Sequence, residues 1–87
     1  MYKNEIKNQI TKITEDLRAK LNKKIYDQII EFLDYNEWTL AFETLCDELC
    51  EHDIIISNEQ YTVLCDICKT MKSNRCYSVF LKKLVKL

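Results

Sequence analysis

The sequence predicts an all-α fold, a compact single-domain bundle of four to five short helices. The chain contains neither glycine nor proline, whereas sheet proteins usually need glycine at tight hairpin turns and bulges. Apolar residues recur at intervals of three and four, which is the spacing of one face of a helix. A chain of 87 residues is long enough for one hydrophobic core and too short for two. We therefore expect residues 1–87 to form one helical domain.

The first two predicted helices occupy the N-terminal part of the chain. The spacing of five apolar residues predicts a helix over about 4–20, with an inner face of Ile6, Ile10, Ile13, Leu17 and Leu21. Asn22 is the predicted N-cap of a second helix, since asparagine accepts hydrogen bonds from the first free amides. The apolar face of this helix consists of Ile25, Ile29, Phe32 and Leu33.

Three further helices are predicted downstream. Asn36 is a candidate N-cap for a third helix, whose inner stripe consists of Trp38, Ala41, Phe42, Leu45 and Leu49. Ser57 and Gln60 match a capping box, flanked by Ile56 and Tyr61 as a hydrophobic staple, so a fourth helix should begin near residue 58 and close at Ser73-Asn74. A short fifth helix is predicted from the apolar residues Tyr77, Phe80, Leu81, Leu84, Val85 and Leu87.

Charge is distributed unevenly along the chain. The net formal charge is −1, yet residues 25–68 contain 11 acids and no Lys or Arg, and the flanking segments carry net charges of +4 and +6. Two acidic stripes result, one on the outer side of the third helix (Glu43, Asp47 and Glu51) and one on the second (Asp27, Glu31 and Asp34). Acids on a helix are usually a solvated face, here neutralised by the basic ends, but such asymmetry also bears on partners.

An enzymatic role is not expected. His52 is the only histidine, and no serine or cysteine nucleophile has a recognisable base and orienting partner around it. A lone histidine at a helix C-terminus more often caps carbonyls or lies in solvent. A glycine-rich phosphate loop is excluded because the chain has no glycine.

The cysteines favour a reducing compartment and simple packing. Their number, five, is odd, which argues against a disulfide framework. Cys65 and Cys68 have CxxC spacing, and a metal site would be completed by Cys46, Cys50 and His52. All four cysteines nevertheless follow helical periodicity, which favours packing over a zinc knuckle. We expect no metal, no cofactor and no structural disulfide. Since no signal peptide or membrane span is recognisable, we expect a cytoplasmic protein without a membrane partner.

Part of the chain resembles a known family. The residues concerned are Glu37-Trp38, Ala41, Glu43, Leu45-Cys46-Asp47, Leu49, Asp53-Ile54, Ile56-Ser57 and Tyr61. They are similar to the core motif of MafI-type immunity proteins, small bacterial proteins that neutralise the toxic C-terminal domains of MafB and contact-dependent growth inhibition systems. The resemblance spans about 21–72, and the chain departs from the motif at Trp38, usually Tyr, and at Ile55, often Pro.

The resemblance implies an all-helical, non-enzymatic inhibitor whose cognate toxin is commonly a nuclease, including RNases of the EndoU type. A nuclease holds phosphates with Lys and Arg, so an acidic inhibitor would be steered to its basic active-site region. The two acidic stripes are therefore the expected toxin-binding residues, and the acidic middle of the chain argues against direct nucleic-acid binding. The alternative is a non-enzymatic adaptor or homodimerising helical module that associates through Tyr26, Tyr35 and Trp38. Whether the protein is a homo-oligomer is left open.

Overall fold

The computed structural model describes residues 2–71 and 77–85. Its α-helices are α1 (Tyr2–Asp16), α2 (Lys23–Asp34), α3 (Trp38–Glu51), α4 (Asn58–Met71) and α5 (Tyr77–Lys82), with a short 3₁₀ helix at Arg18–Lys20. Within these ranges there is no strand, and one isolated parallel bridge joins Ile56 to Val85. The predicted all-α class is confirmed.

The start of the chain differs from prediction in its helix boundary but not in its inner face. The helix expected over about 4–20 ends at Asp16, and the chain tightens into the 3₁₀ helix Arg18–Lys20. Leu17 leaves the α-helical region, with φ −98° and ψ 4°, yet both Leu17 and Leu21 are buried. Periodicity identified the buried residues correctly because the 3₁₀ helix changes the spacing by less than one residue per turn.

Asn22 and Asn36 lie before and after α2, and both were predicted as N-caps; the first prediction is confirmed and the second was wrong. Asn22 caps α2 as predicted, and its Oδ1 accepts a hydrogen bond from Lys24 N at 2.8 Å. Asn36 does not cap α3. It has a left-handed φ of 59°, and its backbone N donates to Leu33 O at 3.1 Å, while Glu37 N donates to Phe32 O at 2.8 Å. These two bonds form a Schellman motif that ends α2.

The connection between α3 and α4 uses the same left-handed ending. Asp53 has a φ of 49°, and Ile54 N donates to Leu49 O at 3.0 Å. The predicted capping box of α4 is confirmed. Ser57 N donates to Gln60 Oε1 at 2.8 Å, and Gln60 N donates to Ser57 Oγ at 3.0 Å.

The core is organised around α3, which contacts α1, α2 and α5. Leu45 and Leu49 are fully buried and Trp38 is partly buried against the core, as predicted. The C-terminal segment is tied to the α3–α4 connection, since Ile56 N donates to Leu84 O at 3.1 Å. Leu81 and Leu84 are buried, but Phe80 is exposed, contrary to its expected inner position. The predicted end of α4 at Ser73-Asn74, together with Cys76 and Leu87, lies outside the described residues.

Candidate protein-binding surface

The acidic stripe of α2 lies on its outer side. Asp27, Glu31 and Asp34 are all exposed, while Ile29 and Leu33 on the opposite side of the same helix are buried. The three acids follow one another at spacings of four and three, so they share one face of the helix. α2 therefore presents a carboxylate row to solvent and an aliphatic row to the core.

The acidic stripe of α3 lies on the side opposite Leu45 and Leu49. Glu43, Asp47 and Glu51 are four residues apart, so they align along the helix. Asp47 and Glu51 are exposed, and Glu43 is half-buried. Because α2 and α3 pack against each other, the two stripes lie on neighbouring helices. The structure thus places all six predicted acids at or near the surface.

The described contacts of charged side chains lie away from most of these acids. Arg18 Nη1 lies 3.9 Å from Glu15 Oε1, within the N-terminal basic segment. Lys20 Nζ donates to the carbonyl oxygen of Ile55 at 3.2 Å. His52 Nε2 lies 3.5 Å from Glu48 Oε1. Among the described residues, none of these contacts involves Asp27, Glu31, Asp34, Glu43 or Glu51, so no basic side chain is seen to neutralise those five acids there.

Glu48 is a functional candidate that sequence reasoning missed. Its side chain is only 6% exposed, although it belongs to the acidic segment. Asn22 N donates to its Oε2 at 3.4 Å, which brings the carboxylate to the amino end of α2. The available signal was spacing, because Glu48 follows Ala41 by seven residues and therefore lies beside the inner stripe.

The aromatic residues of the alternative interface are used in different ways. Tyr26 donates a hydrogen bond from its hydroxyl to Glu15 Oε2, and Arg18 Cζ lies 4.8 Å from the centre of its ring. The hydrogen bond to Glu15 is the main cause that raises the pKa of Tyr26. Trp38 packs against the core, and its buried Nε1 has no described acceptor. Tyr35 is 72% exposed and is the most accessible of the three aromatic residues.

The four cysteines described by the structure are thiols outside any disulfide. Cys46 is fully buried in the core on α3, whereas Cys50, Cys65 and Cys68 are half-buried. Burial raises the pKa of Cys46, and the neighbouring thiols Cys50 and Cys68 raise it further. Burial and the charge of Asp47 also raise the pKa of Cys50. These two thiols are therefore poor nucleophiles at neutral pH, because the thiolate is the reactive form.

Two further observations bear on the class of protein. None of the described helices combines the length and the apolarity that crossing a membrane requires. Comparison with protein-family models, with curated proteins and with solved structures gives no match to this chain. The resemblance to MafI-type immunity proteins therefore rests on the motif residues themselves.

Proposed function

We propose that this protein is a non-enzymatic immunity protein that binds a cognate toxin domain, a basic nuclease, through the acidic outer faces of α2 and α3. The observation that carries the proposal is the segment of residues 25–68, which has 11 acids and no Lys or Arg. Six of those acids form the two stripes on neighbouring helices. The motif resemblance supplies the class of partner.

The electrostatics of the stripes support a basic partner. A nuclease cleft presents Lys and Arg to the phosphates of its substrate. An acidic surface is attracted to such a cleft over a Debye length of about 8 Å at physiological salt, which accelerates association. Charge pairs that come into close contact at the interface of barnase with its acidic inhibitor barstar have coupling energies of about 1.5–7 kcal/mol. The inhibitor would then cover the path of the nucleic acid.

The stripe on α3 also carries a cost that binding would relieve. Glu43 with Asp47, and Asp47 with Glu51, are like-charged pairs at a spacing of four residues, which destabilises a helix by about 0.2–0.5 kcal/mol per pair. The described lysines and arginines make no ion pair with Glu43 or Glu51. Cations supplied by a partner would turn this repulsion into attraction.

The experiment compares charge reversals on three helices, and its binding partner is the toxin domain that the proposal expects in a neighbouring reading frame. The variants are Asp27→Lys/Glu31→Lys on α2 and Glu43→Lys/Asp47→Lys on α3. Glu59→Lys/Asp66→Lys on α4 is the matched control, because both of its acids are exposed and lie outside the stripes. Association rates are measured by surface plasmon resonance at low and high salt, and circular dichroism checks that each variant keeps its helicity.

A stripe reversal should slow association on the order of tenfold at low salt, because steering contributes factors of this size or larger. The difference should shrink at high salt, and the α4 control should bind like the wild type. The proposal is wrong if both stripe variants associate at the wild-type rate in low salt. Equal losses in all three variants would show that net charge matters and the stripes do not.

The exposed Tyr35 favours a second candidate, a homodimerising helical module. Leu40, also exposed, lies five residues further along the chain on α3. A solvent-facing pair of this kind is small compared with the patches that mark stable interfaces. Sedimentation of the wild type and of Tyr35→Ser tests the candidate. A dimer that Tyr35→Ser dissociates would support it, and a monomer at high protein concentration would exclude it.

A further inference from the structure

We propose that Glu48, Glu51 and His52, at the C-terminal end of α3, form a site for a divalent cation of the Zn²⁺ class. Each side chain offers one ligand atom, and the three atoms all lie within 4.8 Å of one another. The set combines two carboxylates and one imidazole, which are donors that Zn²⁺ accepts. The sequence predicts no metal, on an argument made from the cysteine sets, and the proposal departs from that expectation at this cluster.

The helix itself brings the three donors together. Residues at spacings of three and four share a face, so Glu51 and His52 both lie one turn beyond Glu48. The carboxyl end of a helix carries a partial negative charge that favours a cation. The last turn of α3 nevertheless contains no basic residue. The local field at this helix end is therefore one that attracts a positive ion.

Glu48 provides an independent reason for a cation. Its side chain is 6% exposed, and a buried carboxylate is costly unless a positive charge or strong hydrogen bonds compensate it. Oε2 accepts one long hydrogen bond of 3.4 Å from Asn22 N. Oε1 lies 3.5 Å from His52 Nε2, which is a positive partner only when the imidazole is protonated, and in the described part of the chain no Lys or Arg pairs with this carboxylate. Oε1 is thus a buried acceptor directed into the cluster.

One of the three donor separations matches that in a zinc site, and the other two are at most 4.8 Å. Zn²⁺ binds nitrogen and oxygen at about 2.0–2.2 Å, so two ligands at a tetrahedral angle lie about 3.3–3.5 Å apart. Glu48 Oε1 and His52 Nε2 are 3.5 Å apart. Glu51 and His52 are exposed and can adjust by rotation of their side chains. Three protein ligands leave a fourth position for water, as in open zinc sites.

The choice of Zn²⁺ over other divalent ions follows from the imidazole. Mg²⁺ and Ca²⁺ take oxygen ligands, with six or more in the case of Ca²⁺. A set with one nitrogen and two carboxylates suits Zn²⁺ and its neighbours in the first transition series better. Mg²⁺ should therefore not displace Zn²⁺ from this site at comparable concentrations.

The test is isothermal titration of the reduced, full-length protein with Zn²⁺ alone, so its outcome does not depend on toxin binding. We expect one ion per chain, and we expect His52→Ala and Glu51→Gln each to weaken binding at least tenfold, since even outer-shell changes at zinc sites cost about 10–100-fold. Asp47→Asn is the matched control, because it removes an exposed acid of the same helix that lies outside the cluster.

Titration with Co²⁺ separates this site from binding by the cysteines. A thiolate ligand gives an intense near-ultraviolet charge-transfer band, whereas carboxylate and imidazole ligands do not. Binding of Co²⁺ without that band, lost in His52→Ala, supports the proposal. The proposal is overturned by the thiolate band, by unchanged affinity in His52→Ala, or by absence of Zn²⁺ binding to the wild type.

Discussion

Replacing Asp53 with glycine should make this protein more stable. Asp53 ends α3 with a φ of 49°, a left-handed conformation that glycine adopts without the steric conflict that Cβ causes in other residues. The native residue also places a carboxylate beside the carboxyl end of the helix, where the helix dipole disfavours negative charge. Both effects are removed in Asp53→Gly, and the bond from Ile54 N to Leu49 O can be kept.

The net gain is the difference between these terms and the entropy of the unfolded chain. A left-handed conformation costs a residue with Cβ about 1–2 kcal/mol. We take about 1 kcal/mol for its relief, because aspartate tolerates this conformation better than most residues. Removal of the charge contributes about 0.3–1 kcal/mol at an exposed position. Glycine then costs about 0.4–1 kcal/mol through the unfolded state. The expected gain is about 0.3–1.6 kcal/mol, which raises the melting temperature of a domain this size by about 1–13 °C.

Urea unfolding followed by circular dichroism measures the effect, and two further variants separate its causes. Asp53→Asn removes only the charge and should gain about 0.3–1 kcal/mol. Asp53→Ala keeps Cβ but lacks the short polar side chain, so it should be less stable than Asp53→Asn by about 1 kcal/mol. Asn36→Gly provides a second left-handed position without a charge. The two backbone terms together favour glycine over asparagine by about 0–0.6 kcal/mol, so a glycine variant less stable than Asp53→Asn would refute the backbone argument.

The core and the titrating groups give three other predictions. Leu45→Ala should lower the free energy of unfolding by about 2–5 kcal/mol, because the side chain is fully buried; an unchanged urea midpoint would contradict this. Burial raises the pKa of Cys46, so iodoacetamide should alkylate its thiol more slowly at neutral pH than the thiol of Cys65. Mass spectrometry of timed samples measures both rates, and equal rates would contradict the reasoning. The hydrogen bond to Glu15 raises the pKa of Tyr26. The contribution of this hydrogen bond to stability is therefore fully present below the pKa of an unfolded tyrosine, and it is lost as pH rises through the higher pKa of the folded state. Ultraviolet titration of the wild type against Tyr26→Phe should reveal a late-titrating phenol, and Glu15→Gln should move it to lower pH.

The parts of the fold that could be predicted are those whose signals lie within one helical turn. Asn22 and the pair Ser57 and Gln60 satisfy free amides only a few residues away, so their role can be recognised without tertiary structure. Asn36 was ambiguous because it lies between two helices and can serve either one. In a chain without glycine, asparagine is the residue that best accepts a left-handed conformation, and ending α2 took precedence over capping α3.

The candidate surface was predictable to the same extent. Periodicity alone separates the outward Asp47 from the inward Leu45 on α3, because their directions follow from the helix pitch. The environment of Glu48 was not predictable in this way. Its burial depends on the approach of the amino end of α2, where Asn22 N contacts the carboxylate, and that contact spans 26 residues of sequence.

The two proposals meet at Glu51, which belongs to the acidic stripe of α3 and to the cluster with Glu48 and His52. A bound divalent ion would add two positive charges at one end of the stripe, so it would weaken the attraction to a basic partner rather than strengthen it. Saturating Zn²⁺ should therefore slow association with the toxin domain at low salt, and His52→Ala should remove this effect of zinc. If Zn²⁺ instead accelerated association, the ion would have to be completing its open coordination position with a donor from the partner, and the interface would include the end of α3 itself.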